Sequence, residues 1–145
     1  MSFVFSLASV LRVREMLEEQ EERLLQKILF EISRTHEAIA QIDAEVAESN
    51  ALLRANINKP VIGLDVHTSY GQINSLRQDK IELNVRCGKL RELRDKQLLA
   101  FKAARRNREM LTDMREEKRT IYDIDQAKSE QKILDDNYIN RRGRF

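Results

Sequence analysis

His36, His67 and Cys87 are the side chains of this sequence best suited to metal binding or nucleophilic chemistry, and their spacing argues against both. A metal site needs three or four convergent donors. Here no second His or Cys stands at ligand spacing from any of the three. The histidines therefore read as surface residues. Cys87 falls on an apolar seam, where a thiol acts as a small hydrophobe, and no base is spaced to activate it. Neither a glycine-rich phosphate loop nor a G-x-S-x-G turn is present. Lys102, Arg105, Arg106 and Arg108 form a basic cluster, yet the aromatic interleaving or groove-fitting unit of a nucleic-acid reader is missing. That cluster reads as a solvated basic face opposite an acidic one. The expectation is a protein without catalytic residues, cofactor or metal, in which any enzymatic activity belongs to a partner.

The elements that carry these residues are announced by charge. From Glu15 to Glu48 there are ten acidic residues against three basic, and from Arg77 to Arg108 eleven basic against four acidic. The two stretches superpose when the chain is reflected just after Pro60, its single proline. An antiparallel helical hairpin requires that symmetry, because each acidic turn of one arm then lies beside a basic turn of the other.

Heptad spacing says the same. Alternating steps of four and three visit Leu7, Leu11, Arg14, Glu18, Glu21, Leu25, Ile28, Ile32, Thr35, Ile39, Ile42, Val46, Ser49 and Leu53, nine of them apolar. A strict heptad repeat implies supercoiling against another helix. The second seam runs through Ile73, Leu76, Lys80, Leu83, Cys87, Leu90, Arg94, Gln97, Phe101, Ala104, Arg108, Leu111, Arg115, Lys118 and Tyr122. Glu18 mirrors Arg108 across the seam. The two form either a register-setting polar pair or side chains that reach out to water.

The predicted fold is all-α: one long antiparallel two-helix coiled-coil hairpin covering 1–145, with the C-terminal helix overhanging. The expected bounds are a helix over about 3–57, a turn over 58–68, a helix over about 69–137 and a basic tail over 138–145. Two Asn precede Pro60, which disfavours helix there. Ser69 with Gln72 has capping-box spacing. Reflection places residue 122 against residue 3, so everything beyond about Ile124 lacks a partner within the chain.

Composition agrees. With 34% charged and 6% aromatic residues, no Trp, four Gly and one Pro, the chain suits long helices joined by few turns. A formal net charge of +2, already arranged in complementary arms, gives no reason for wholesale attraction to nucleic acid or membrane. The apolar run from Phe3 to Leu11 is shorter than the roughly 20 residues that span a bilayer and lacks a basic leader or cleavage site. A single cysteine fits a reducing, intracellular compartment.

Three features resemble the FliJ family of flagellar type III export proteins: the opening Phe5-Ser-Leu-Ala-Ser-Val-Leu-Arg-Val-Arg-Glu15 followed by an acidic helix, the hairpin of this length, and the closing Glu130-Gln131-Lys132-x-Leu134-Asp135-Asp136. The loop around Pro60 departs from the family's pattern, as does the lack of Trp. The resemblance implies a non-enzymatic component of the bacterial flagellum's protein-transport apparatus. Such a protein would be cytoplasmic and held at the cytoplasmic face of the inner membrane through its partners. It further implies a stalk that enters the ring of an export ATPase similar to FliI, contacts the cytoplasmic domain of an export gate similar to FlhA, and engages export chaperones. On that basis Glu130, Gln131, Lys132 and Asp135 are the candidates for the ring-inserted surface, and the turn-proximal Tyr70, Ile73 and Leu76 for the gate contact. The alternatives are an injectisome stalk of the YscO kind and a structural coiled coil that dimerises through leftover apolar residues such as Met110, Met114, Ile121 and Ile124.

Overall fold

The computed structural model describes residues 2–56 and 63–143, and it is an all-α antiparallel hairpin. Helix α1 spans Ala8–Asn56 (49 residues) and helix α2 spans Gly63–Arg142 (80 residues). No strand occurs among the described residues. The chain divides into two compact units: Met1–Gln20 with Phe101–Phe145, and Glu21–Ala100.

In the unit Glu21–Ala100 the antiparallel register is recorded in cross-helix polar contacts. Gln97 Nε2 donates to the Glu21 carbonyl at 3.0 Å and also to the Glu21 carboxylate. Arg86 donates to Glu31 Oε2 at 3.2 Å, and Lys80 Nζ to Asp43 Oδ1 at 2.6 Å. Sequence separation falls from 76 to 55 to 37 along these contacts, as it must when one helix advances while the other returns. These ion pairs are largely exposed, so each contributes little energy; their value is in favouring one register over its neighbours. Burial of Leu25, Ile32, Ile42, Ile73 and Cys87 supplies most of the driving force. Thr35, a polar residue buried on the seam, satisfies its hydroxyl by donating to the Glu31 carbonyl at 2.8 Å.

In the unit Met1–Gln20 with Phe101–Phe145, Phe3 meets Tyr122, Phe5 meets Lys118 and Glu18 meets Arg108. Phe5 and Leu11 are its buried apolar residues. All fourteen heptad positions of α1 are buried or half-buried, and so are those of α2 except Arg115 and Lys118, which are exposed.

The helix bounds differ from expectation at three ends. Helix α1 starts at Ala8, not near residue 3, because Phe3 and Phe5 both face α2. Two residues apart on a helix they would point about 200° away from each other, whereas extended backbone sends them the same way. The Phe5 carbonyl then accepts the Ala8 N–H at 3.1 Å and closes a turn into α1. Helix α2 starts at Gly63, ahead of the capping-box serine Ser69. Asp65 puts a carboxylate in its first turn, where the free amides favour negative charge. Its other end runs on to Arg142, with Arg141 and Arg142 in the last turn favourably placed against the negative end of the helix. Of the turn expected over 58–68, residues 63–68 are helical, and the Pro60 break lies outside the described residues.

Candidate partner-binding surfaces

Beyond Tyr122 every described residue of α2 is exposed. The segment stays helical because nothing from Lys89 to Arg142 is Gly or Pro. Spacings of four residues add bonds along its surface: Arg119 to Asp123 at 3.8 Å and Gln131 Nε2 donating to Asp135 Oδ1 at 3.1 Å. Exposed pairs of this kind give a few tenths of a kcal/mol each. Packing thus contributes nothing to a segment that still displays Ile133, Leu134, Tyr138 and Ile139, exposed by 56 to 64%. Glu130, Gln131, Lys132 and Asp135 all lie on this stretch and are exposed.

The residues proposed near the turn do not share one surface. Tyr70 is 56% exposed, whereas Ile73 is 2% exposed and packs in the seam. Leu76 is half-buried, and with Glu45, Glu48, Ser49, Gln72 and Ser75 it lines a shallow cavity of about 360 Å³. In the unbound chain Ile73 is therefore a packing residue, and Tyr70 is the member of the trio free to touch a partner.

Two features near the chain start escaped the heptad reading. Phe5 is buried, its ring 5.7 Å from Lys118 Nζ. Phe3 stacks obliquely on Tyr122 at 5.6 Å, with the Arg119 guanidinium 5.4 Å from its centroid. This aromatic clasp marks where the covering of α2 ends. Its sequence signal was the alternation of Phe3 and Phe5, a strand-like period of two at the mouth of a helix.

Glu18 and Arg108 form a two-bond ion pair, Nε to Oε2 at 2.6 Å and Nη2 to Oε1 at 3.1 Å. Their side chains are 16% and 25% exposed, the least accessible ion pair of those described. The Arg108 hydrogen bond holds the Glu18 carboxyl below its ordinary value; burial works against this, and the charges of Arg108 and Arg105 add to it. The same bond pushes Arg108 up. Of the alternatives posed by the sequence, the structure has the pair formed across the seam.

The remaining candidates are quieter. Arg105 is bonded to Glu109 at 2.9 Å and Arg108 to Glu18, so half of the basic cluster is already engaged. Cys87, buried at 4%, has its sulfur 3.8 Å from His36 Nε2, so the pairing of the helices brings to the thiol a base that the sequence spacing did not show. Among the described residues no three His, Cys, Asp or Glu side chains converge as a metal cage would require. No helix among them is long and apolar enough to cross a membrane. Compared with known proteins, the chain matches no protein-family model, no curated protein and no solved structure.

Proposed function

We propose that this chain is a non-enzymatic stalk of a type III export apparatus of the flagellar kind. In this reading the overhang of α2 enters the ring of an export ATPase and promotes its assembly and activity. The observation that carries the reading is the uncovered helical segment beyond Tyr122, which combines charged side chains with exposed Ile133, Leu134, Tyr138 and Ile139. A helix that buries nothing against its own chain has its whole circumference available to surrounding subunits. The closing run Glu130-Gln131-Lys132-x-Leu134-Asp135-Asp136, which resembles that of the FliJ family, falls on this segment. Glu130, Lys132 and Asp135 would meet charges on the ring, and unequal contacts with otherwise equivalent subunits would bias one subunit's state over another's. The unit Glu21–Ala100, through Tyr70, would meet the export gate. Chaperones would be engaged from the same position, and any association with the membrane would run through these partners.

Truncation after Ala127 tests this. The cut lies beyond Tyr122, the last residue of α2 seen against the start of the chain, so hairpin pairing is preserved. The truncated chain is expected to keep its helical circular dichroism and melting behaviour. It should lose at least about tenfold in affinity for the export ATPase, a difference of about 1.4 kcal/mol, together with stimulation of ATP hydrolysis. Retention of both in the truncated chain would overturn the assignment.

A further inference from the structure

Helix α2 carries a second apolar stripe that the hairpin does not use. Met110, Met114, Ile121 and Ile124 are exposed by 60, 38, 59 and 49%. With Glu117 they occupy alternating steps of four and three, continuing through Lys128, Gln131 and Asp135. This is a heptad seam, distinct from the one through Ala104, Arg108, Leu111 and Tyr122 that faces α1 and the residues just before it. None of Glu117, Asp125 and Lys128 takes part in an ion pair among the described residues.

We infer that this stripe is a self-association surface on which α2 of a second copy of the chain docks antiparallel, about a twofold axis between Ile121 and Ile124. Charge selects that occupant. With the axis there, Ile121 of each copy packs on Ile124 of the other, and Met114 on Gln131. Glu117 in the seam stands opposite Lys128, and Lys118 on the flank stands nearest Asp125. Every ionic contact across the central turns joins opposite charges, and twofold symmetry makes each of them twice. The contact is a weak one, because its apolar centre is four isoleucines flanked by methionines, far less than an obligate dimer buries. This inference does not depend on the export reading. If both hold, self-association would occlude Gln131 and Asp135 and compete with the ring, so that the overhang is capped by a second copy until its partner is present.

Sedimentation of the isolated full-length chain over a concentration series tests it, with charge reversals in the seam. The wild type is expected to show an average mass that rises with concentration towards the dimer. Glu117→Lys places lysine against Lys128, and Lys128→Glu places glutamate against Glu117. Each alone should weaken dimerisation at least about tenfold. Glu117→Lys with Lys128→Glu restores opposite charges and should bring the dissociation constant back to within about threefold of wild type. These side chains are exposed in the single chain, so circular dichroism should be unchanged in all three variants. A monomer at every concentration would overturn the proposal and leave the stripe to a helix of a different protein. A double variant no better than the single ones would overturn the register.

Discussion

Ile73→Ala is expected to lower the free energy of unfolding by about 2 to 4 kcal/mol, the usual cost of emptying a buried isoleucine site. The hairpin's core is narrow. Its buried apolar residues among those described are Phe5, Leu11, Leu25, Ile32, Ile42, Ile73 and Cys87, and Ile73 is the most completely enclosed of them, at 2% exposure. Two helices enclose a side chain from fewer directions than a globular core does, so neighbours can partly collapse into the space. That places the expected loss below the extreme of the range for isoleucine. Tyr70→Ala, one turn earlier and 56% exposed, should change stability by no more than about 0.5 kcal/mol. Urea unfolding followed by far-ultraviolet circular dichroism measures both. Equal effects at the two positions would mean that the seam does not pass through Ile73.

The second large effect is expected at Glu18 and Arg108. Arg108→Ala leaves a partly buried carboxylate without its partner and should cost about 1 to 3 kcal/mol. Replacing both residues by Leu removes the unpaired charge as well as the pair, and should recover that loss or exceed it. What the double Leu variant should lose is register, since a leucine seam tolerates slippage that an ion pair resists. The single and double variants therefore separate stability from specificity. An Arg108→Ala chain as stable as wild type would show that the pair is spent against its own desolvation. A pH dependence follows from the same geometry. Glu18 is held below its ordinary value of 4.5 in the folded chain. Its contribution is accordingly full above 4.5, where the unfolded chain is also ionised. It is lost as pH falls below that value and through the lower folded one. Acid should lower the stability of wild type relative to the double Leu variant in that window, and the difference should stay constant between there and neutrality.

Much of this architecture was legible because coiled-coil packing repeats. Leu25, Ile32, Ile42, Ile73 and Cys87 were placed on their seams by a count of threes and fours, and Glu18 found Arg108 by reflection alone. The count went astray at Arg115 and Lys118, which are exposed. Opposite them the chain is no longer α1 but the non-helical Phe3–Phe5 segment, which half-covers Tyr122 and leaves these two long cationic side chains exposed. The clasp itself was invisible to a search for helical periodicity because its two rings obey a period of two. The start of α2 was misjudged because Ser69 with Gln72 fits a capping box, while Asp65 upstream serves the first turn without a comparable motif. Ile73 was offered as a gate contact for its apolar character, yet the same character draws it into the seam. Sequence distinguishes apolar from polar, but only packing distinguishes an apolar residue already used from one still free, as Tyr70 is. The overhang was found by length: α2 outruns the segment that could cover it, and the exposure of everything beyond Tyr122 follows.

The uncovered segment beyond Tyr122 is the proposed place where a partner binds. Hydrogen–deuterium exchange of the full-length chain, free and bound to the export ATPase, measures it most directly. The free chain should exchange fastest beyond Tyr122, where helix hydrogen bonds are exposed on every side, and slowest around Ile32, Ile42, Ile73 and Cys87. On binding, new protection is expected between Asp123 and Arg142 with the hairpin unchanged. Protection that instead appears around Tyr70, with the segment beyond Tyr122 exchanging as fast as before, would contradict the account.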